Sequence, residues 1–327
     1  MAESFSSLGR VEAIKALFEG TGYKPFGEPL HFDGPAATAG TLMLEGVDFD
    51  LVYFPLKHLG YKAVSAVTAE LYAVMVTPKV LEVTLGVSAK LDYARISELW
   101  SGIVVAAKEH GYEQLSLELR PSQNGLVISA NAGGVACDKR SEAASKDLIC
   151  VSGPLGAAYL GFRALEKEKK GFSEGSTPEA LEKRKLLVGA YLKPEITPML
   201  PAQLSEGKLY PSFGYVVKNG LADAILRLVR DSGLGAKVYA DKIPFEGGSF
   251  DFGKELDLDP VSAAMNGGDD YRLLYVIPIG KLDTLRHDFQ TFDIIGHLAQ
   301  PSVGAVLVTP DGVELPLSAQ GWKQNTK

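Results

Sequence analysis

The cluster with most chemical potential is Asn266-Gly267-Gly268-Asp269-Asp270-Tyr271, directly before a stretch that reads as a strand. Paired carboxylates beside glycines suit a hard cation, or a polar ligand that approaches the backbone where no Cβ stands in its way. On pattern alone, a tight turn with solvated acids accounts for the same residues. A second spot is Ser152-Gly153-Pro154-Leu155-Gly156, between a strand and a helix, where a helix N-terminus offers backbone N–H groups to an anion. Pro154 removes one donor there, and loop geometry accounts for both glycines. A third is Asp33-Gly34-Pro35-Ala36-Ala37, which reads as a phosphate-approach loop or as a linker.

Other familiar site types are missing. The chain has no Walker loop, no Gly-x-Gly-x-x-Gly after a strand, no Gly-x-Ser-x-Gly and no His-Glu-x-x-His. Its five histidines (His31, His58, His110, His287 and His297) are scattered and make no metal motif. Cys137 and Cys150 fit neither a zinc nor a Cys-x-x-Cys spacing, so they read as buried thiols.

The elements that must position these residues come from a chain of ordinary globular composition. It has 327 residues, 46% hydrophobic and 22% charged, which excludes disordered and collagen-like architectures. Forty acidic against thirty-three basic residues give a formal charge of −7, which argues against a nucleic-acid binder held by phosphate contacts. No apolar run is long enough to span a bilayer, and the first twenty residues lack the apolar core of an export signal. A reducing cytoplasm is therefore the expected setting.

Periodicity predicts helices over Val11–Phe18, Lys57–Met75, Asp92–His110, Leu155–Lys170, Pro178–Leu192 and Ala222–Asp231. Pro78 should punctuate the end of the second of these, and Gly111 and Gly233 should close the third and the last. Strands are expected over Thr41–Phe49, Val80–Val87, Gln114–Leu119, Gly125–Ala130, Leu148–Val151, Ala236–Ile243, Tyr271–Ile277 and Phe292–Leu298. Ala305–Leu317, with Pro310-Asp311-Gly312 inside it, reads as a hairpin. The charged run Glu166–Gly171 reads as a solvated last helical turn. The polar segment Cys137–Lys146 marks a boundary. The expected fold is α/β (α+β) in two domains, residues 1–138 and 147–327.

Several stretches resemble thiamine-monophosphate kinase, a family of the PurM-like (AIR synthase-related) superfamily. Leu44-Glu45-Gly46-Val47-Asp48-Phe49-Asp50-Leu51 resembles the family's Leu-Glu-Gly-Ile-His-Phe-Asp-Leu. Asn266-Gly267-Gly268-Asp269-Asp270-Tyr271-Arg272-Leu273-Leu274 resembles its Gly-Gly-Glu-Asp-Tyr-Glu-Leu-Leu. Residues 55–64, 147–160 and 317–322 are similar to further stretches of bacterial members. The resemblance implies a two-domain PurM-like fold whose N-terminal domain pairs across a two-fold into a homodimer, near Thr41–Phe49 and Val80–Val87. It also implies ATP-dependent phosphorylation of thiamine monophosphate, with Mg²⁺ held by aspartates neutralising the phosphates.

The acidic motifs depart from that pattern. Only Asp33-Gly34-Pro35-Ala36-Ala37 stands where the family has Gly-Asp-Asp-Ala-Ala, and Thr41 replaces an Asp. Glu70 closes what is Asn-x-Ser-Asp in the family, and Glu118 lies in what is Gly-Gly-Asp-Thr-Thr. Val216-Val217-Lys218-Asn219-Gly220 stands for Asp-Ile-Ser-Asp-Gly, removing two carboxylates and adding a cation. The positions to follow are Asp33, Glu45, Glu70, Glu118 and Arg140 for a cofactor, and Gly267, Gly268, Asp269, Asp270, Tyr271 and Trp322 for a substrate; none is assigned as a metal ligand. A scaffold that keeps its core and loses its acids reads as a non-catalytic homologue with a binding, scaffolding or regulatory role. An active kinase using ATP and Mg²⁺ in a rebuilt metal site is the alternative, and another PurM-like ligand-binding enzyme is a third reading.

Overall fold

The computed structural model describes residues 30–31, 36–137, 139–175 and 179–319. The expected helix at Val11–Phe18, Asp33 and Trp322 lie outside them.

The first unit is a five-stranded sheet made of β1 (Leu30–His31), β2 (Ala36–Leu44), β3 (Val76–Ser88), β4 (Gln114–Ser122) and β5 (Val127–Ala136). Its order is β1-β2-β5-β3-β4, with β3 and β4 parallel and the other pairs antiparallel. β4 and β5 follow each other in sequence but are not neighbours, because β3 lies between them. Pro78 does not end the helix before it. It lies inside β3, where the register on β5 shifts between Pro78 and Val80, a bulge being one of the places a proline is tolerated in a sheet.

Two helices, α1 (Leu56–Ala73) and α2 (Tyr93–Glu109), cover one face of this sheet. Asp92 caps α2 by accepting from Arg95 N–H at 2.9 Å, and Gly111 takes the left-handed conformation after it. α1 is buried on all sides, because it lies between two sheets. Leu59, Val64, Val67 and Leu71 pack with the first sheet, whereas Ala66, Ala69, Tyr72 and Ala73 pack with Cys150, Val216, Leu273 and Tyr275 of the second.

That second sheet has seven strands: β6 (Leu148–Val151), β7 (Phe213–Val217), β8 (Gly235–Tyr239), β9 (Arg272–Ile277), β10 (Asp293–Ala299), β11 (Ala305–Val308) and β12 (Glu314–Pro316). Its order is β12-β11-β8-β10-β6-β9-β7. The expected hairpin at the end is β11–β12, with Gly312 at φ 84° in its turn. The period of two sends Leu148 and Cys150 toward α1, and Ile149 and Val151 toward the opposite face.

Further helices are α3 (Ala157–Ser173), α4 (Lys185–Leu192), α5 (Leu200–Glu206), α6 (Leu221–Ser232), α7 (Ser249–Leu256), α8 (Pro260–Asn266) and α9 (Leu282–Asp288). The helix expected over Pro178–Leu192 is a 3₁₀ segment, Glu179–Arg184, followed by α4. The charged end of α3 is solvated as expected: Lys170 reaches Glu174, while Lys169 pairs with Asp50 at 2.7 Å. Among the described residues, no helix is long and apolar enough to cross a membrane.

Candidate functional site

Turns from both units meet over the edge of α1 and enclose a cleft of about 300 Å³. The turn after β2 contributes Val47 and Asp48. α3 contributes Tyr159 and Phe162, and α4 contributes Tyr191. The turn after β7 contributes Lys218 and Asn219, and the turn before β9 contributes Asn266, Gly267, Gly268 and Asp269.

The turn before β9 is held in an unusual shape. Gly268, Asp269 and Tyr271 all have positive φ, at 86°, 62° and 49°. Gly268 has no room for a side chain, because a Cβ would meet the Lys218 carbonyl oxygen at 2.7 Å. A Cβ on Gly267 would meet the Ala263 carbonyl oxygen at 2.4 Å. Two backbone bonds lock this turn to the one after β7: Asp269 N–H donates to Lys218 O at 2.8 Å, and Tyr271 N–H to Val217 O at 3.1 Å. A left-handed tyrosine costs conformational energy, and burial of its ring helps to hold it there.

Behind the cleft wall, the wholly buried Lys62 of α1 donates to Asp269 Oδ2 at 2.9 Å. Its Nζ lies 3.8 Å from the ring centre of Tyr191 and 5.4 Å from that of Phe54, so the cation is satisfied by one carboxylate and aromatic faces. Tyr191 meets Phe162 in a tilted contact, 5.4 Å between ring centres, and its hydroxyl donates to Asp48 O at 3.2 Å. The Asp48 carboxylate accepts from Leu44 N–H at 2.7 Å. Burial, with Asp269 nearby, pushes its pKa up; the Leu44 N–H, Lys218 and Lys62 act against that.

Asp270 turns away from the cleft. It is buried and accepts from Gly156 N–H at 2.8 Å and Ala158 N–H at 3.1 Å, so it caps the N-terminus of α3. Burial raises its pKa to about 7, against the two N–H groups and Arg272. The helix end after Ser152–Gly156, where N–H groups could face an anion, is therefore taken up by a carboxylate of the same chain.

The remaining sequence-derived positions are apart from one another. Glu45 closes the end of the β2–β5 pair, its Oε2 accepting from Leu126 N–H at 2.6 Å. Glu70 is buried on α1, with Tyr271 in its electrostatic reach. Glu118 is exposed on edge strand β4 and pairs with Arg120 at 2.9 Å. Arg140 donates to Val74 O at 2.7 Å, fixing the connector between the sheets to the end of α1, and burial lowers its pKa. Gly267, Gly268 and Asp269 come together in the cleft, with Tyr271 behind them.

No family model matches the chain. The thiamine-monophosphate kinase of Pyrococcus horikoshii is 27% identical over 270 residues, which is 81% of this chain and 78% of that protein. That of Bacillus subtilis is 22% identical over 293 residues, 86% of this chain and 85% of its own. Among solved structures, AaThiL complexed with AMPPCP and TMP superposes with a TM-score of 0.80 at 20% identity, covering 99% of both chains. The hydrogenase maturation protein HypE of E. coli superposes at 0.67 and 14% identity, over 94% of this chain and 96% of its own. The fold is PurM-like. The resemblance read from the motifs is borne out to that extent.

The metal that a PurM-like kinase implies has a poor fit here. Pairing along the sheet puts Thr41 opposite Ala130 and Val83 on the face covered by helices, and Glu118 opposite Thr84 and Ser129 on the other face. Glu45 has one carboxylate oxygen on a backbone N–H at the end of the β2–β5 pair. At the turn after β7, Lys218 Nζ donates to Thr41 Oγ1 at 3.5 Å. Two positions belonging to the family's acidic motifs thus meet as an ammonium and a hydroxyl. Among the described residues, no group of three or more His, Cys, Asp or Glu side chains is placed to hold a metal ion. Divalent-ion coordination of the implied kind does not follow from these residues, and no step through it is derived.

Sequence reasoning did not single out Asp48, Lys62, Tyr159, Phe162 or Tyr191. Asp48, Lys62 and Tyr159 lie inside stretches that carry the resemblance, so the signal was present for them. Phe162 and Tyr191 are spaced as ordinary core residues, and only the meeting of α3 with α4 reveals them.

Proposed function

We propose that this chain is a non-catalytic relative of thiamine-monophosphate kinase that binds a small aromatic phosphate, of the thiamine phosphate class, in the cleft between its sheets. Its role is then binding, scaffolding or regulatory. The observation that carries this reading is the Lys218–Thr41 contact at 3.5 Å. A cation standing there disfavours a metal ion: at about 4 Å and an effective dielectric near 20, like unit charges repel by about 4 kcal/mol. The ligand class is supported by the cleft itself. Tyr159 and Phe162 offer aromatic surface, Asp48 offers an acceptor for a cationic ring, and Lys218 a donor for an anion. The structural neighbour AaThiL, complexed with AMPPCP and TMP, supports it too.

In this reading Gly267, Gly268 and Asp269 form the substrate wall and Tyr271 supports it. Residues 1–138 and 147–327 act as two PurM-like domains. The first pairs into a homodimer through the open face of its sheet, where Leu42, Val80 and Val135 are exposed. A cytoplasmic setting accords with the free thiols of Cys137 and Cys150. The competing reading, an active kinase, is favoured by one feature: Asp48 and Asp269 both line the cleft. The two are separated by incubating the protein with thiamine monophosphate, ATP and Mg²⁺ and measuring diphosphate formation, beside calorimetric titration with thiamine monophosphate. Binding without turnover is the expected result.

A further inference from the structure

We infer that Lys218 is the fixed counter-charge of an anion subsite, and that the cleft takes the phosphoryl end of its ligand without a divalent metal ion. This rests on the cleft being a ligand site, as proposed above.

The charges at the cleft differ in how far they are already committed. Asp269 is paired with the buried Lys62 at 2.9 Å. Asp48 accepts a backbone N–H at 2.7 Å. Lys218 is half-buried and lines the cleft, and its hydrogen bond is the long one to Thr41 Oγ1 at 3.5 Å. Among the described residues it forms no ion pair. An ammonium carries three N–H donors, so Lys218 keeps donor capacity for an incoming acceptor.

Asn219, next in the chain and also at the wall, adds a neutral amide beside it. In the metal-bridged arrangement that the resemblance implies, carboxylates hold an ion and the ion holds the phosphate. Here the positive charge is covalently part of the wall; Asp269 is taken by Lys62, and Asp48, which accepts Leu44 N–H, acts on Lys218 through space without an ion pair. An ammonium binds phosphate as a point charge with loose angular demands, unlike Mg²⁺ with its octahedral requirement. The class of ligand group is therefore a phosphomonoester or diphosphate, bound directly.

The test is calorimetric titration of the full chain with thiamine monophosphate and, separately, inorganic pyrophosphate, each in EDTA and in Mg²⁺. At least one should bind in EDTA. Lys218→Met should weaken that binding by roughly tenfold or more, the loss of a charge-assisted hydrogen bond, while Lys218→Arg restores most of it. Thermal unfolding checks that each variant is folded, and Lys218→Gln replaces the Met variant if that one is not. Absence of binding in EDTA for both probes overturns the inference, as does binding that Lys218→Met leaves unchanged. If thiamine monophosphate binds only with Mg²⁺ and pyrophosphate does not bind in EDTA, the inference falls while the cleft reading stands. If pyrophosphate binds in EDTA through Lys218 and thiamine monophosphate binds under neither condition, the inference stands and the thiamine phosphate assignment falls.

Discussion

Lys62 and Asp269, 207 positions apart in sequence, form an ion pair of 2.9 Å that ties the helix between the sheets to the wall of the cleft. The lysine side chain has no exposure, while that of the aspartate is 33% exposed. Removing one partner is therefore unequal to removing the other.

Asp269→Asn leaves an ammonium buried without its counter-charge, and should cost about 3 kcal/mol or more. Asn tolerates the left-handed backbone at this position, so the loss isolates the charge. Lys62→Met leaves a carboxylate that water can reach and places an apolar chain among Phe54 and Tyr191, so its cost should be under half as large. Thermal unfolding of both variants checks the order. An equal or reversed order contradicts the account of the pair.

Asp270 gives a pH signature. Its folded pKa, about 7, lies above the ordinary value of 3.8, because burial disfavours the charged form. The folded state therefore holds the proton more tightly than the unfolded state in that interval. Stability from this group is present at low pH and is lost as pH rises toward about 7. Asp270→Asn cannot titrate. The wild type should gain in melting temperature relative to this variant as pH falls from about 7 toward 5, and a constant difference over that range counts against the assignment.

The helix that carries Lys62 is positioned by two glycines. A Cβ on Gly102 would meet the Lys57 carbonyl oxygen at 1.9 Å, and one on Gly60 would meet that of Leu99 at 2.1 Å. The contacts are with backbone, which cannot rotate aside. Gly102→Ala should therefore force α1 and α2 apart, costing roughly 2–3 kcal/mol. Because Lys62 rides on α1, the variant should also weaken ligand binding, measured by titration, although Gly102 is not at the cleft. Full stability in this variant would refute the packing argument.

Much of the fold was legible because its elements obey a single period. α2, with Asp92 before it and Gly111 after it, needed only local signals. α1 was legible as a helix, but its sequence could not say that both faces are buried, since the second covering sheet arrives more than seventy residues later. Pro78 misled, because a proline that stops a helix also fits a bulge in a strand, and only pairing with β5 decides. β4 and β5 are joined by a short loop yet separated by β3, a matter of long-range register. At the site, the glycine-rich turn was legible and its two aspartates were not: residue type cannot tell that Asp269 faces the cleft while Asp270 caps α3. The scattered acids were readable as substitutions, but the alternation that puts Glu118 on the face away from Thr41 is visible only once the sheet is paired.

The measurement closest to the central claim is thiamine diphosphate formation by the purified full chain, given thiamine monophosphate, ATP and Mg²⁺. With Lys218 standing at Thr41, the account predicts no diphosphate above the protein-free blank, from a folded protein that still binds thiamine monophosphate. Mg²⁺-dependent turnover at an ordinary enzymatic rate, on the order of 1 s⁻¹, would contradict it.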